Sequence, residues 1–421
     1  MGVKARAQPL PGHQISIEQQ HGMSVDGLLP TKSMHPSDAE DAARELRLCE
    51  LARASVVVWG GGTQMQLGSE PRGYDVAFST ERMTRLLEYE PADLTCRVEA
   101  GMRVADLQAT LEANGQRLPL DPPHPDHATV GGMVAANTNG LNRARHGTVR
   151  DWVIGMAVAY PSGKVARAGG KVVKNVAGYD LMKLHTGALG TLGVIVEVNF
   201  KVQTRPEADV TLLGHFEDPS AALKAGIDLA HHYLAPAAMI LVDRATLWKC
   251  GLTADWRWTL AMKLEGYARE IQPTQEAAAS IVRGAGGRIE GQALPATFWD
   301  NARDWSSSTE DTDVVFSGMS SLTGLQTLLP LAAAAGPLMV QPGAGIFHVR
   351  VAPDAAAPAL DRLRRAAGDD GQVVVTRAPV SLKKSLDVWG PTPPGFPLMR
   401  SLKEALDPHA TLNPGRFVGG L

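Results

Sequence analysis

Short runs of β-branched residues alternate with glycine-rich turns along the first half of the chain. The run Ser55–Trp59 predicts a buried strand that leads directly into three glycines. Further strands are predicted at 75–78, 94–100, 152–160, 164–168, 171–176 and 194–202. Apolar residues at helical spacing predict helices at 37–52 and 104–111. This half therefore predicts a mixed domain of strands and helices with many sharp turns.

The pattern changes after residue 206. Alanine-rich amphipathic helices are predicted at 219–233, 274–283 and 355–367. Short strands alternate with them at 209–216, 239–243, 257–264, 345–351 and 372–376. This alternation predicts a separate α+β domain around an antiparallel sheet, which ends near residue 395. A last helix is predicted at 397–406.

The first 35 residues show no hydrophobic periodicity. They are polar and rich in Gly, Pro, His and Gln, which is typical of a disordered tail. Met23 and Met34 are alternative starts that the residues do not decide between.

Composition narrows the class of protein. A chain of 421 residues is long for one hydrophobic core, and its net charge of −3 gives no reason to expect nucleic acid or anionic lipid as a partner. Cys49, Cys96 and Cys250 show no CxxC spacing and are too few for an iron–sulfur cluster, which needs about four thiolates. No apolar run approaches the roughly 20 residues of a membrane span, and the N-terminus has no apolar signal core. We expect a cytoplasmic protein.

The glycines between residues 121 and 205 carry the candidate chemistry. Glycine has no Cβ, so such a cluster predicts a backbone that comes close to a large flat ligand with a diphosphate. Gly60–Thr63 after a strand suits phosphate oxygens, although a tight turn is an equally good interpretation. Two glycines in Thr129–Gly132 begin a predicted helix, where free N–H groups favour an anion. Arg143 and Arg145 either offset diphosphate charge or are solvated.

Several segments together resemble the FAD-binding flavoproteins of the vanillyl-alcohol-oxidase type, also called PCMH-type. The matching segments are Gly60–Thr63, Thr129–Met133, His146–Asp151, Lys174–Asp180, Gly190–Gly193 and Leu412–Arg416. The resemblance implies an α+β fold with an FAD-binding domain of two α/β subdomains at 36–206. It also implies a small α+β cap domain with an antiparallel sheet at 207–395, and a segment at 396–421 that returns to the FAD domain.

Within this family, Asp121–His124, Lys174–Asp180 and the short second domain are similar to the FAD-binding subunits of bacterial glycolate oxidase. Such subunits assemble with a catalytic FAD subunit and an iron–sulfur subunit, and the complex oxidises glycolate to glyoxylate. The resemblance implies non-covalent FAD, a small hydroxy-acid substrate, these two partners, and membrane contact only through them. Two alternatives stay open: a self-sufficient FAD-linked 2-hydroxy-acid or alcohol dehydrogenase, and a flavin-free assembly scaffold.

The resemblance also implies a set of cofactor-binding residues. Those expected to hold the diphosphate are Gly60, Gly61, Gly62, Thr63, Gln64, Thr129, Gly131, Gly132, Ala136 and Asn137. Those expected around the ribityl chain, flavin ring or adenine are Gly140, His146, Gly147, Asp151, Gly190, Gly193, Val194 and Ile195. Asn413 and Arg416 are expected to close the site from the C-terminus.

The catalytic residues are not identified by the sequence. Oxidation of a 2-hydroxy acid needs a cation for the carboxylate and a base for the hydroxyl proton. The segment Gly345–Arg350 offers only His348 and Arg350, with no neighbouring acid, and a metal site usually needs three or more ligands. We therefore predict no metal and interpret His348 as a strand residue at the domain interface, with catalytic base as the alternative.

Overall fold

The computed structural model describes residues 9–170, 180–232, 236–290, 294–308 and 313–421. The strand predicted at 171–176 and the motif residues 174–179 lie outside these ranges.

The N-terminal half contains two main sheets and a two-stranded ribbon. Its strands are β1 (His13–Gln14), β2 (Lys32–Met34), β3 (Val56–Trp59), β4 (Val76–Ser79), β5 (Leu86–Glu90), β6 (Thr95–Glu99), β7 (Gln116–Arg117), β8 (Val153–Ala159), β9 (Val165–Gly169), β10 (Val194–Lys201) and β11 (Gln203–Thr204). The first sheet has the order β1-β2-β4-β3, the second β5-β6-β10-β8-β9, and β11 pairs with β7. The second sheet is antiparallel throughout, whereas β2, β4 and β3 run parallel.

The helices of this half connect the strands. They are α1 (Ile17–Gly22), α2 (Ala39–Ala52), α3 (Val104–Glu112), α4 (Val130–Ala136), α5 (Arg143–His146), α6 (Val149–Trp152) and α7 (Met182–His185). Helix α2 buries Ala42, Leu46 and Cys49 in one cluster with residues of both main sheets, such as Phe78 and Val196. Because these positions recur at helical spacing, one face of α2 packs the two sheets together.

The cap domain is one antiparallel sheet with helices on both faces. Its strands are β12 (Ala208–Phe216), β13 (Ala238–Asp243), β14 (Trp258–Gly266), β15 (Arg288–Glu290), β16 (Val314–Met319), β17 (Leu338–Gln341), β18 (Ile346–Val351) and β19 (Gln372–Arg377), in the order β15-β12-β14-β13-β17-β18-β16-β19. Its helices are α8 (Pro219–His231), α9 (Arg244–Lys249), α10 (Ala268–Gly284), α11 (Phe298–Asp304), α12 (Leu322–Ala335), α13 (Ala356–Ala367) and α14 (Val380–Lys383). The predicted antiparallel sheet is present, and β15, β16 and β17 are additions to the predicted strands.

The two faces of the cap sheet have different neighbours. Phe347, Val349 and Val351 of β18 enter the large core formed with α8, α10, α12 and α13. Residues alternate between faces along a strand, so His348 and Arg350 lie on the opposite face. Leu141 of the N-terminal half belongs to the hydrophobic cluster on that opposite face. The cap therefore turns His348 toward the N-terminal half.

The last helix, α15 (Phe396–Leu406), leads the chain back to the first sheet. Val56 N donates to the carbonyl oxygen of Thr411 at 2.8 Å, and Asn413 N donates to that of Val56 at 2.8 Å. The C-terminal segment thus runs alongside β3, next to the first glycine run.

The prediction of a disordered tail through residue 35 is wrong for residues 13–34, which contain β1, α1 and β2. The segment is fastened by a buried ion pair, in which Lys383 Nζ lies 2.7 Å from a carboxylate oxygen of Asp26. The two side chains are 2% and 4% exposed, and Lys383 also donates to the carbonyl oxygen of Gln66 at 2.8 Å. This long-range contact is invisible in a polar segment without periodicity.

We expect Lys383→Met to lower the free energy of unfolding by about 3–5 kcal/mol, because it leaves Asp26 buried without a partner. Urea denaturation measures this change. The double variant Asp26→Asn/Lys383→Met should recover part of the loss, and equal losses in the single and double variants would contradict the proposed pairing.

A second buried polar group is His185 on α7. It is 2% exposed, and its Nε2 forms a 2.8 Å hydrogen bond with the hydroxyl of Tyr160. Burial lowers the pKa of His185 from 6.5 to about 4, so the folded protein holds this side chain neutral.

The free energy of unfolding should depend on pH through His185. The stabilisation is complete above pH 6.5 and is lost as the pH falls from 6.5 toward about 4, because the unfolded chain binds the proton first. His185→Gln should therefore lose less stability on acidification than the wild type, by up to about 3 kcal/mol. Urea denaturation at several pH values tests this, with the exposed His21→Gln as control. A wild-type slope in His185→Gln would contradict the assignment.

Candidate functional site

A cavity of about 1570 Å³ lies between the N-terminal half and the cap domain. Loops of the N-terminal half form one wall, and β16, β17 and β18 contribute to the other. Pockets for drug-sized ligands typically measure roughly 300–1,000 Å³. This cavity therefore has room for a dinucleotide and a small second molecule.

The first glycine loop, 61–64, lines the cavity. Among the described residues, we find no hydrogen-bond acceptor for the backbone N–H groups of Gly61, Gly62, Thr63 and Gln64. A Cβ on Gly61 would overlap the carbonyl oxygen of His127, so only glycine lets the two loops lie this close. A row of free N–H groups on a cavity wall suits phosphate oxygens.

The second glycine segment behaves differently from the expectation. Gly131 N donates to the carbonyl oxygen of Ala100 at 2.7 Å, and Gly132 N donates to Thr129 Oγ1 at 3.2 Å. The N-terminus of α4 is therefore capped by the protein, and the prediction of free N–H groups there is wrong. A Cβ on Gly60 would overlap Thr129 Oγ1, so this glycine also serves close packing.

The opposite end of α4 reaches the cavity. Ala136 and Asn137 line it, and Asn137 adopts a left-handed conformation with φ of 48°. The loop Gly187–Leu189 is attached to this end, because Leu189 N donates to the carbonyl oxygen of Ala135 at 2.8 Å. Gly187 and Leu189 line the cavity beside Asn137.

The residues that follow the loop Gly187–Leu189, namely Gly190, Gly193, Val194 and Ile195, lie behind the cavity wall. A Cβ on Gly190 would lie 3.0 Å from Asn413 Nδ2, and one on Gly193 would clash with Val158 and Tyr160. Val194 and Ile195 are buried in β10, within the hydrophobic clusters of the N-terminal half. None of these four is among the residues that line the cavity.

The turn His146–Asp151 is likewise internally bonded. Asp151 accepts from Thr148 N at 2.7 Å, and Gly147 has the positive φ of 81° that the turn requires. Burial, followed by the charges of Arg117 and Arg145, lowers the pKa of His146 to about 4. This turn does not line the cavity, whereas Gly140, a few residues earlier, does.

Asn413 and Arg416 position the first loop from behind. Asn413 Oδ1 accepts from Val58 N at 3.1 Å, and its Nδ2 donates to the carbonyl oxygen of Leu189 at 2.6 Å. Arg416 donates to the carbonyl oxygens of Met65 and Leu67 at 2.6 and 2.7 Å. Both side chains are buried, so they hold the loops that face the cavity.

His348 lies on the cap wall of the cavity, between Ser317 of β16 and Met339 of β17. Its Nδ1 is buried and has no hydrogen-bond partner among the described residues. Burial and the charge of Arg143 lower the pKa of His348 to about 4, so the imidazole is neutral at pH 7.

Arg350, the other candidate on β18, points elsewhere. Its guanidinium donates to the carbonyl oxygen of Trp305 and to Ser308 Oγ, and the residue does not line the cavity. Four arginines line the cavity, namely Arg143, Arg303, Arg364 and Arg377, and of these Arg143 of α5 comes from the N-terminal half. Among the described residues, no group of three or more His, Cys, Asp or Glu side chains is placed to hold a metal ion.

Sequence comparison connects these features to known proteins. Residues 30–169 match the family described as FAD binding domain, and residues 390–417 match the C-terminal domain of FAD linked oxidases. The chain is 29% identical over 378 residues to glycolate oxidase subunit GlcE of Escherichia coli (strain K12), across 88% of this chain and 94% of GlcE. These matches support an FAD-linked oxidoreductase with an FAD binding domain at residues 30–169.

Other proteins are similar to the chain over part of its sequence or in fold. The chain is 30% identical over 261 residues to glycolate oxidase subunit GlcD of Bacillus subtilis (strain 168), across 61% of this chain. That match spans 56% of the length of GlcD. The structure of p-cresol methylhydroxylase with substrate bound superposes with a TM-score of 0.71 at 15% identity, over 96% of this chain and 93% of that chain. The predicted PCMH-type α+β fold is confirmed.

FAD is the cofactor, as the sequence predicts, and the cavity fits it. The free N–H groups of residues 61–64 match a diphosphate, and the volume accommodates a dinucleotide. Gly61, Gly62, Thr63, Gln64, Ala136, Asn137 and Gly140 are the predicted cofactor residues that line the cavity. Their contacts with FAD stay a prediction.

We expect Gly61→Ala and Gly140→Ala to lose most of their flavin. A Cβ at Gly61 would overlap the carbonyl oxygen of His127, and one at Gly140 that of Asp121, so the cavity loops would have to move. The flavin-to-protein ratio from the absorption spectrum measures the loss. Gly284→Ala is a matched control, because no atom lies within 4 Å of its added Cβ. Full flavin content in Gly61→Ala would count against this loop as part of the FAD site.

Proposed function

We propose that the chain is the FAD-binding subunit of a glycolate oxidase-type complex, and that it supports oxidation of glycolate to glyoxylate. The observation that carries the proposal is the similarity to GlcE, which extends over 94% of that subunit. The proposed partners are a catalytic FAD subunit and an iron–sulfur subunit. The partners are proposed from the similarity to glycolate oxidase subunits, and an iron–sulfur subunit would provide the onward acceptor that electrons from the substrate need.

The reaction divides between cofactor and protein. Oxidation of a 2-hydroxy acid removes a hydride from the α-carbon and a proton from the hydroxyl group, and FAD, when bound, would supply the hydride acceptor. The N–H groups of residues 61–64 would hold the diphosphate, and the cap would cover one side of the cavity. His348 is neutral at pH 7, which is the form that accepts a hydrogen bond or proton from a hydroxyl group.

A second candidate is a self-sufficient FAD-linked 2-hydroxy-acid dehydrogenase. It is favoured by Arg143 and His348, which place a cation and a neutral imidazole on the same cavity. The flavin-free scaffold is not favoured, because residues 30–169 match an FAD binding domain and the cavity fits the cofactor.

An assay of the purified chain and of the co-purified complex separates the two candidates. We expect the chain alone to carry flavin but to reduce an artificial acceptor with glycolate only at background rate, and the complex to turn over. Mass spectrometry of the complex should identify two further subunits, one of which contains iron and acid-labile sulfide. Robust turnover by the chain alone would contradict the subunit role and support the second candidate.

Acid precipitation tests whether the FAD is bound without a covalent link to the protein. Non-covalent FAD should appear in the supernatant, whereas a covalent flavin would stay with the protein.

No helix of the described ranges is long and apolar enough to cross a bilayer. A cytoplasmic location, with contact to the inner membrane through the partners, is part of the proposal and is tested by fractionating the assembled complex.

A further inference from the structure

The cap sheet turns two adjacent rows of side chains toward the cavity. Strand pairing aligns each row across β17, β18 and β16; the rows are Gln341–Ile346–Met319 and Met339–His348–Ser317. Within a strand, residues two apart lie on the same face about 7 Å from each other. Gln341 and His348 therefore belong to neighbouring rows of one surface.

Two polar groups on this surface lack partners within the described ranges. Gln341 is 4% exposed and lines the cavity, and its Oε1 forms no hydrogen bond to a described residue. Nδ1 of His348 is also buried and forms no hydrogen bond to a described residue. Buried polar side chains nearly always have a hydrogen-bond partner, so these two indicate a ligand.

Arg143 reaches the same surface from the opposite domain. Helix α5 rests on the cap turn after Gln341, since a Cβ on Gly343 would lie 3.1 Å from Ala144 Cβ. The Arg143 guanidinium approaches Met319, with Nη2 3.7 Å from Sδ. Arg143 is partly buried and forms no salt bridge with a carboxylate of the described ranges, and the charge of Asp151 acts on it only from beyond salt-bridge distance. By contrast, the cavity arginines Arg303 and Arg364 form salt bridges with Asp304 and Asp387. A partly desolvated guanidinium without a carboxylate partner is a binding group for an anion.

We propose that Arg143, Gln341 and His348 form a binding site for a small 2-hydroxy acid on the cap side of the cavity. This inference rests on the proposed function and names the residues that would recognise its substrate. Arg143 binds the carboxylate, because a guanidinium presents paired N–H donors to two carboxylate oxygens. The Gln341 amide and the His348 imidazole, which both donate and accept, bind the hydroxyl group and a remaining carboxylate oxygen.

Gln341 and His348 start from neighbouring rows about 7 Å apart on one surface, so one small polar molecule can contact both side chains. Leu141, Ile346 and Met339 add apolar surface to the same part of the cavity lining. Apolar surroundings strengthen each charged hydrogen bond.

The anion that meets Arg143 has two sources, the carboxylate of a substrate or the diphosphate of FAD. We assign the carboxylate, because Arg143 contacts cap residue Met319, whereas the free N–H groups that suit a diphosphate belong to residues 61–64 of the other domain. If Arg143 binds the substrate carboxylate, removal of its guanidinium weakens oxalate binding. If Arg143 binds the diphosphate, the same change lowers the FAD content.

Titration of the FAD-loaded full-length chain with oxalate, followed by flavin absorbance and calorimetry, tests the site. We expect Arg143→Met and Arg143→Gln to weaken oxalate binding roughly tenfold or more, and Gln341→Leu to weaken it several-fold. Flavin content and oxalate binding in Arg150→Met should match the wild type, because Arg150 lies exposed nearby and does not line the cavity. Inorganic phosphate serves as the second probe and should bind more weakly than oxalate.

The results that would contradict the carboxylate role of Arg143, the binding site and the proposed function differ from one another. Wild-type oxalate affinity in both Arg143 variants would overturn the carboxylate role, and loss of FAD in them but not in Arg150→Met would assign Arg143 to the diphosphate. Oxalate binding that depends on Arg143, in a complex that does not oxidise glycolate, would support the site and refute the proposed function. A complex that oxidises glycolate although this chain binds no oxalate would refute the site alone.

Discussion

The side-chain amide of Asn413 joins the two glycine loops on which the cavity depends. Its oxygen accepts from Val58 N, just before the loop 61–64, and its nitrogen donates to the carbonyl oxygen of Leu189 in the loop 187–193. These contacts connect the C-terminal segment to residues more than 200 positions earlier in the chain. Asn413 therefore supports β3 and the 187–193 loop together, while Arg416 and the packing of Gly61 on His127 also hold residues 61–64 in place.

Buried charges hold the C-terminal segment in turn. Lys403 Nζ lies 2.6 Å from Asp407 Oδ2 and donates to the carbonyl oxygens of Thr191 and Leu412. Asp407 also accepts from the backbone N–H groups of Thr411 and Leu412 at 2.9 and 2.8 Å. Burial of charged groups is unfavourable unless their hydrogen bonds are made, and here they are made within the C-terminal segment and to the carbonyl oxygen of Thr191 in the 187–193 loop. The segment is thereby fixed against that loop, which would reduce the ordering that FAD binding requires.

The sequence predicts the glycine loops well but does not reveal what each glycine approaches. Gly61 borders the cavity, whereas Gly60 packs on Thr129 and Gly131 packs on Ala100, which is protein rather than ligand. The absence of a Cβ allows close approach of either a ligand or another part of the protein, so the spacing of the glycines does not distinguish the two. The same limit explains α4, whose first N–H groups bond to Met102, to Ala100 and to the adjacent Thr129 rather than to a ligand.

The cap side of the site was harder to predict for a different reason. β17 has only four residues, and Ser317 interrupts the apolar run of β16, so the pattern that marks a strand is weak in both. The pattern places His348 on a strand. It also offers Arg350 as a candidate, but Arg350 does not line the cavity, whereas Arg143, about two hundred residues earlier in the chain, does. Contacts between domains depend on tertiary packing that local periodicity does not encode.

We infer that one cavity between the two domains holds FAD and, beside it, the carboxylate of a hydroxy acid. A crystal structure of the FAD-loaded chain soaked with oxalate would show both molecules at once. We expect the diphosphate against residues 61–64, and oxalate between Arg143 and the β17–β18 surface. FAD bound away from residues 61–64, or oxalate ordered with no contact to Arg143, Gln341 or His348, would contradict it.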